Sequence, residues 1–198
     1  MERLPANGSA VGLGGSKSKG LQYLREASAA NGETSMDAKI ALALFLRREQ
    51  KYNEGIQVVG QMQSLYPHNF LVASEYANLL NAAGHGQEAI AAYRKVLASC
   101  HNKTFAVCNL DLPAYGFGEA LKGQRQYQEA AEAYEMAAQN ARDPELKQKA
   151  MLGAGQMYDV LHKRDDAIGK YKAVIAENSG SGMADLARQY IKQPYSTP

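Results

Sequence analysis

Several features common in proteins of this size are absent from the chain. Its 198 residues include no tryptophan and only two cysteines, and 22 Lys and Arg stand against 20 Asp and Glu, for a formal net charge of +2. So small an excess does not favour a nucleic-acid groove, which needs basic residues concentrated on one surface. No apolar run approaches the ~18–20 residues that span a bilayer. We expect neither nucleic-acid binding nor membrane insertion by this segment.

The first residues do not have the composition of a secretory signal peptide. Glu2 is acidic, and glycines interrupt the region in which a signal peptide carries its apolar core. The sequence leaves the compartment unknown. The cytoplasm is the default, and the periplasm is the alternative if this chain is a fragment of an exported protein.

The two cysteines, Cys100 and Cys108, lie close together in one predicted loop, with His101 beside the first. A disulfide between them is possible only in an oxidising compartment. A structural zinc site normally needs four ligands, usually including a closely spaced cysteine pair, so these three groups do not favour a metal. We expect two free thiols and neither a metal nor a cofactor.

An internal repeat dominates the chain and occurs four times. Each copy has a small residue near the start of its second predicted helix, at Gly55, Ala89, Ala130 and Ala167. Four positions later each copy has a larger residue, at Val59, Tyr93, Tyr134 and Tyr171. The small residues are 34, 41 and 37 positions apart. A period near 34 that holds two short amphipathic helices indicates an α-solenoid.

The repeat divides the chain into segments. Residues 1–16 are rich in Gly and Ser and are expected to be flexible, and residues 193–198 form a tail. The solenoid of residues 17–192 is predicted to comprise a half repeat at 17–33, repeats at about 34–68, 69–110, 111–142 and 143–180, and a capping helix at 181–192. The periodicity predicts nine helices between about residues 17 and 192, and no strand.

The connection between the second and third repeats is about seven residues longer than the others. Insertions in solenoids fall in loops and are often on the binding side. The third repeat is predicted to open at Asp111-Leu112-Pro113 and the fourth at Asp143-Pro144-Glu145, each with a capping acid and a proline in the first turn.

The pattern resembles the tetratricopeptide repeat (TPR), whose motif reads W-x2-L-G-x2-Y, then A-x3-F, then P. The four copies here are Lys39-x2-Leu42-Ala43-x2-Leu46 with Gly55-x3-Val59, Ala73-x2-Tyr76-Ala77-x2-Leu80 with Ala89-x3-Tyr93, Ala114-x2-Phe117-Gly118-x2-Leu121 with Ala130-x3-Tyr134, and Met151-x2-Ala154-Gly155-x2-Tyr158 with Ala167-x3-Tyr171. The missing tryptophan and the long connection depart from the motif. The whole chain is also similar to the C-terminal half of bacterial TPR proteins of unassigned function.

The resemblance implies an all-α fold, a right-handed superhelix of antiparallel helix pairs. It also implies that Gly118 and Gly155 on the first helices, with Ala130 and Ala167 on the second, sit where paired helices cross most closely. The large residues beside them are expected to fill the remaining space.

TPR proteins usually bind extended peptides or partner helices in a concave groove lined by the first helix of each repeat. Carried over by repeat position, the groove here would be lined by Asp37, Ile40, Leu44, Arg47, Arg48, Leu71, Ser74, Asn78, Asn81, Tyr115, Glu119, Lys122, Lys149, Leu152, Gln156 and Asp159. The partner-binding residues predicted from this set are Arg47, Arg48, Asn78, Asn81, Tyr115, Glu119, Lys122, Gln156 and Asp159. The positive charge of Arg47, Arg48 and Lys122 would favour an acidic or C-terminal segment.

The function that the resemblance implies is a non-catalytic scaffold whose partner is a protein or peptide. No phosphate-binding glycine loop, His-Glu-x2-His or G-x-S-x-G motif occurs in the sequence. Two alternatives remain open. In the first, the chain is a structural or self-associating solenoid, as a homo-oligomer or in an envelope assembly. In the second, it is the regulatory part of a larger enzyme.

Overall fold

The computed structural model describes residues 17–30 and 34–197, and this part of the chain is helical with no strand. It contains ten helices: α1 (Lys17–Ala29), α2 (Thr34–Arg48), α3 (Tyr52–Leu65), α4 (Phe70–Ala82), α5 (Gly86–His101), α6 (Asp111–Gly123), α7 (Tyr127–Asn140), α8 (Pro144–Val160), α9 (Arg164–Glu177) and α10 (Gly182–Lys192). The predicted flexible segment 1–16 lies outside the described residues. The predicted number of nine helices was wrong by one, because the half repeat, four pairs and terminal helix make ten.

The helices stack in a single line. Each packs against the helices before and after it in the chain, and among the described residues the other substantial contacts are α4 with α6, α6 with α8, and α8 with α10. The even-numbered helices therefore form the inner layer of the stack, while α3, α5, α7 and α9 form the outer layer. Because contacts stay between neighbours, the core is a row of connected clusters rather than one central core.

The turn inside each repeat has the same geometry four times. One residue adopts positive φ just after the inner helix, at Gln50, Gly84, Arg125 and His162, with φ between 58° and 81°. The next residue donates its backbone N–H to a carbonyl five positions earlier, at 2.8–2.9 Å. This left-handed turn satisfies carbonyl groups that the helix end leaves free. Only Gly84 adopts the conformation without the steric cost of a side chain.

Small inner-helix residues allow the paired helices to approach closely, as the sequence predicted. A methyl group added at Gly118 would lie 2.8 Å from the ring of Tyr134, and one at Gly155 would lie 2.6 Å from the ring of Tyr171. Ala130 and Ala167 are completely buried. The small residues therefore set the distance between the two helices of a pair, and the tyrosine rings fill the remaining space.

The C-terminal segment is tied to the last repeat rather than forming a separate tail. The backbone N–H of Tyr195 donates to Asp159 Oδ2 at 2.8 Å, and its ring lies 5.4 Å from the ring of Tyr190 on α10. Arg164 donates to the carbonyl groups of Tyr190 and Ile191 at 2.8 and 2.6 Å. Residues as far as Tyr195 thus belong to the packed solenoid.

Cys100 and Cys108 form a disulfide, so the expectation of two free thiols was wrong. Phe105, in the loop between them, is 7% exposed and lies against Ala73 and Val96, with its ring 5.9 Å from that of Phe70. Docking of this ring brings the two Cα atoms to 5.7 Å, within the range of a disulfide. The spacing of the cysteines alone could not reveal this, because it depends on where Phe105 packs.

Removal of the disulfide is expected to destabilise the protein. A cross-link over so short a loop stabilises by about 2–3 kcal/mol in the chain-entropy model. Urea unfolding of the double variant Cys100→Ser/Cys108→Ser should show a loss of this size. The wild type under a reducing agent should unfold like the variant. If the free energy of unfolding fell by less than about 0.5 kcal/mol in both the double variant and the reduced wild type, the cross-link would not constrain the unfolded chain.

Two glycines of the fourth repeat provide a matched test of helix packing. Gly155→Ala should lower the free energy of unfolding by about 1–3 kcal/mol, because the new methyl group clashes with the buried ring of Tyr171. Gly169→Ala, whose methyl group would meet nothing within 4 Å, should raise it by up to about 1 kcal/mol. Thermal and urea denaturation measure both. If both substitutions changed the free energy of unfolding by the same amount and in the same direction, the assigned helix register would be wrong.

Candidate binding groove

The predicted groove residues lie on α2, α4, α6 and α8, the helices of the inner layer. Three of them accept hydrogen bonds from buried tyrosines of the outer helices. The pairs are Tyr93 with Asn78 at 2.7 Å, Tyr134 with Glu119, and Tyr171 with Asp159 at 2.8 Å. Burial is the main cause that raises the pKa of each of these tyrosines well above its usual value. The pairs satisfy hydroxyl groups that would otherwise be buried without a partner.

Asp159 has no free group to offer a partner. Its side chain is completely buried, and its carboxylate accepts hydrogen bonds from Arg164 at 2.8 Å, from Tyr171 and from the backbone of Tyr195. The predicted partner-binding role of Asp159 therefore needs correction: it holds the last helix pair and the C-terminal segment together. The fourth repeat places this acceptor one helical turn beyond Gln156, the position equivalent to Asn78 and Glu119.

The third repeat contributes a connected group of polar and aromatic side chains. Lys122 Nζ lies 3.0 Å from Glu119 Oε2, so the two charges compensate each other. The ring of Tyr115 is half-buried and lies 5.6 Å from that of Tyr134. Burial, together with the nearby Glu119 carboxylate, raises the pKa of Tyr115 to about 12. Tyr115 thus offers a neutral, partly exposed ring to the groove.

The positive charge expected to attract an acidic segment is largely compensated. Arg47 donates to Glu75 Oε2 at 2.9 Å, and Asn78 donates to the same oxygen at 3.3 Å. Lys122 is paired with Glu119, as described above. Of the predicted cations, Arg48 alone is highly exposed, with 77% of its side chain accessible, and it lies 4.0 Å from Glu49. The structure therefore gives no support to a preference for an acidic partner.

Asn81 and Gln156 are partly buried, and neither side chain forms a hydrogen bond with the described part of the chain. Both remain available to a peptide backbone. Their role as binding residues stays a prediction, as does that of Arg47, Arg48, Asn78, Tyr115, Glu119 and Lys122.

Two adjoining hollows lie at the N-terminal end of the inner layer. The first, about 270 Å³, is mainly apolar and is lined by Ile40, Ala43, Leu44, Val59, Met62, Asn69, Leu71, Val72 and Glu75. The second, about 300 Å³, is lined by Arg47, Phe70, Leu71, Ser74, Glu75, Asn78, Asn109, Asp111, Leu112 and Pro113. Leu71 and Glu75 line both, so the two hollows lie side by side.

The second hollow contains polar atoms without a partner. Ser74 Oγ and Glu75 Oε1 are buried and form no hydrogen bond with the described residues. Asp111 is only 6% exposed and accepts from the backbone N–H of Leu112, whereas the sequence placed it at the helix cap. Sequence reasoning included Ser74 but missed Glu75. Nothing near Glu75 in the sequence marks it as a site residue, because its side chain is positioned by Arg47, which is 28 residues away.

Comparisons with known proteins concern the fold. No protein-family model and no curated protein matches the chain. Among solved structures, MamA of Desulfovibrio magneticus RS-1, from its residue 41 to its end, is 20% identical and superposes with a TM-score of 0.68 over 85% of this chain and 89% of that one. MamA of AMB-1 is 17% identical, with a TM-score of 0.64 over 83% and 91%.

A third similar structure is YrrB, described as a TPR protein with an unusual peptide-binding site. It is 16% identical, with a TM-score of 0.58 over 90% of this chain and 85% of that one. The chain has the fold of a TPR solenoid. The predicted all-α superhelix of antiparallel helix pairs is confirmed. At these identities the likeness extends to the fold and not to the residues that bind.

Two further properties concern only residues 17–30 and 34–197. None of the helices there is long and apolar enough to cross a bilayer. No three His, Cys, Asp or Glu side chains in these ranges are grouped so that they could hold a metal ion.

Proposed function

We propose that this TPR solenoid is a non-catalytic interaction module that holds a peptide or partner helix against its inner helices. The main support is the pair of adjoining hollows along α2, α4 and the start of α6, whose linings combine apolar side chains with residues that carry unpaired polar atoms. Groups of both kinds are what a peptide needs, because its side chains seek apolar contact and its backbone seeks hydrogen bonds. The peptide-binding site of YrrB shows that the fold can serve this purpose.

The rival proposal is that the same surface joins copies of this chain. Exposed apolar residues favour association in general, and Ile40, Leu44 and Leu71 are 43%, 48% and 73% exposed. A peptide-binding groove and a self-association surface differ in what saturates them. Excess free peptide would fill the groove without changing the mass of the protein, whereas self-association would depend on protein concentration.

Selection from a displayed random-peptide library, followed by fluorescence polarisation with the selected peptides, tests the groove. Tyr115→Ala and Asn81→Ala should each weaken binding about tenfold or more, because a partly exposed ring and an unpaired amide are typical anchor groups. Tyr115→Ala also removes packing against Tyr134. Binding is therefore measured well below the melting temperature of each variant.

Glu132→Ala is the matched control, since Glu132 is exposed on α7 in the outer layer. If the control weakens binding as much as the groove variants, or if those variants bind normally, the inner surface is not the site. If no peptide is selected and sedimentation shows a dimer, the structural or self-associating alternative is favoured.

We also propose that the chain works in an oxidising compartment, because disulfides such as Cys100–Cys108 rarely persist in the cytosol. Protein purified from its native cells, alkylated without prior reduction and analysed by mass spectrometry, should carry no label on either cysteine. Label on both would place the chain in a reducing compartment and favour the cytoplasmic alternative.

A further inference from the structure

The first repeat differs from the other three at one pair of positions. In the later repeats the outer helix carries a tyrosine, and its hydroxyl group bonds to a polar residue of the inner helix. The first repeat has Val59 at the tyrosine position and Leu44 at the position of Asn78 and Glu119. The ring and its acceptor are therefore replaced together by two smaller apolar side chains.

This replacement leaves an apolar pocket on the inner surface. Val59 lines the base of the pocket and is only 1% exposed, while Leu44 at its edge is 48% exposed. Leu71 of α4, on the other side, is 73% exposed. A pocket with a buried aliphatic floor and accessible aliphatic walls accommodates an aliphatic side chain, since burial of each apolar surface removes it from water.

A carboxylate with spare hydrogen-bonding capacity lies at the edge of the same pocket. Both donors that reach Glu75, Arg47 and Asn78, bind Oε2, and Oε1 is buried with no partner among the described residues. Ser74, which is 9% exposed, has an unpaired hydroxyl beside it on α4. Burial raises the pKa of the Glu75 carboxyl, and the charge of Arg47 only partly opposes this effect. One more donor, preferably charged, would complete the environment of Glu75.

The charges that line the polar hollow favour a cation. Two carboxylates, Glu75 and Asp111, and one guanidinium group, that of Arg47, line this hollow. An anionic side chain would meet a lining of net negative charge. A lysine or arginine side chain would instead be attracted by the Glu75 carboxylate, and the aliphatic part of such a side chain can lie along Leu71.

We propose that these two hollows together bind a peptide segment that carries an aliphatic side chain and, two residues away, a lysine or arginine. The aliphatic side chain enters the pocket over Val59, and the cation pairs with the Glu75 carboxylate once that side chain turns its buried Oε1 toward the hollow. In an extended peptide, residues i and i+2 point to the same face, about 7 Å apart, so one segment can place a side chain in each of two adjoining hollows. The inference rests on the proposed function and assigns its partner chemistry.

A peptide panel tests this chemistry directly. The probes are fluorescein-labelled ten-residue peptides of Gly and Ser with a central Leu-Gly-Arg, its reverse Arg-Gly-Leu, and the comparators Leu-Gly-Glu and Ser-Gly-Arg. The wild-type chain should bind the better of the first two at least tenfold more tightly than either comparator. This comparison uses the unmodified protein, so it does not depend on the folding of any variant.

Two variants test which residues of the protein cause the preference for particular peptides. Glu75→Gln keeps the size of the side chain but removes its charge, and it should reduce the preference for Arg over Glu to about twofold. The double variant Leu44→Asn/Val59→Tyr installs the pair found in the second repeat, fills the pocket, and should abolish the preference for Leu over Ser. Glu132→Gln on the outer layer is the control and should leave all affinities unchanged.

Several outcomes would overturn the proposal. Equal binding of all four peptides by the wild type, binding of none of them, or a preference for Leu-Gly-Glu would each contradict it. Concentration-dependent dimerisation that the Leu44→Asn/Val59→Tyr variant abolishes would show that a second copy occupies the pocket. The two proposals can be told apart: binding of a library-selected peptide that is sensitive to Tyr115→Ala but not to Glu75→Gln would support the groove and reject this site.

Discussion

The contact between a small inner-helix residue and a large outer-helix side chain sets the geometry of the solenoid. Gly118 faces Tyr134 and Gly155 faces Tyr171, so each ring fills the space that the missing side chain leaves. Each of these tyrosines is fully buried, and its hydroxyl group must find an acceptor. The acceptors, Glu119 and Asp159, lie on the inner helices. Core packing thus dictates which polar residues occupy part of the inner layer.

This coupling explains why the first repeat has an apolar pocket on its inner surface. With Val59 in place of tyrosine, no acceptor is required at Leu44, and the inner face there is apolar. The later repeats use their inner polar residues for structure, most completely at Asp159. The features that distinguish one repeat from its neighbours are therefore more informative about binding than the features that all repeats share.

The sequence predicted those parts of the structure that depend on local spacing. Helices, turns and the close approach at Gly118 and Gly155 all follow from small and large residues that recur at fixed intervals. Pairings between helices were not predictable, because contacts such as Arg47 with Glu75 depend on side-chain directions across 28 residues. The disulfide was missed because the docking of Phe105, and not the spacing of the cysteines, brings Cys100 and Cys108 together.

Stacking in a line has a consequence for cooperativity. In such an array, local opening can start at the end with the fewest buried side chains and spread inward. Helix α1 buries only Leu21, and the last helix, α10, buries only two alanines, but Arg164 and Asp159 also tie α10 and Tyr195 to the fourth repeat. The N-terminal end is therefore the easier one to open. The hollows beside α2 lie near that end. Any molecule that binds there selectively stabilises the folded form of the least protected repeats, and its occupancy would be visible as slower amide exchange in α1 to α3.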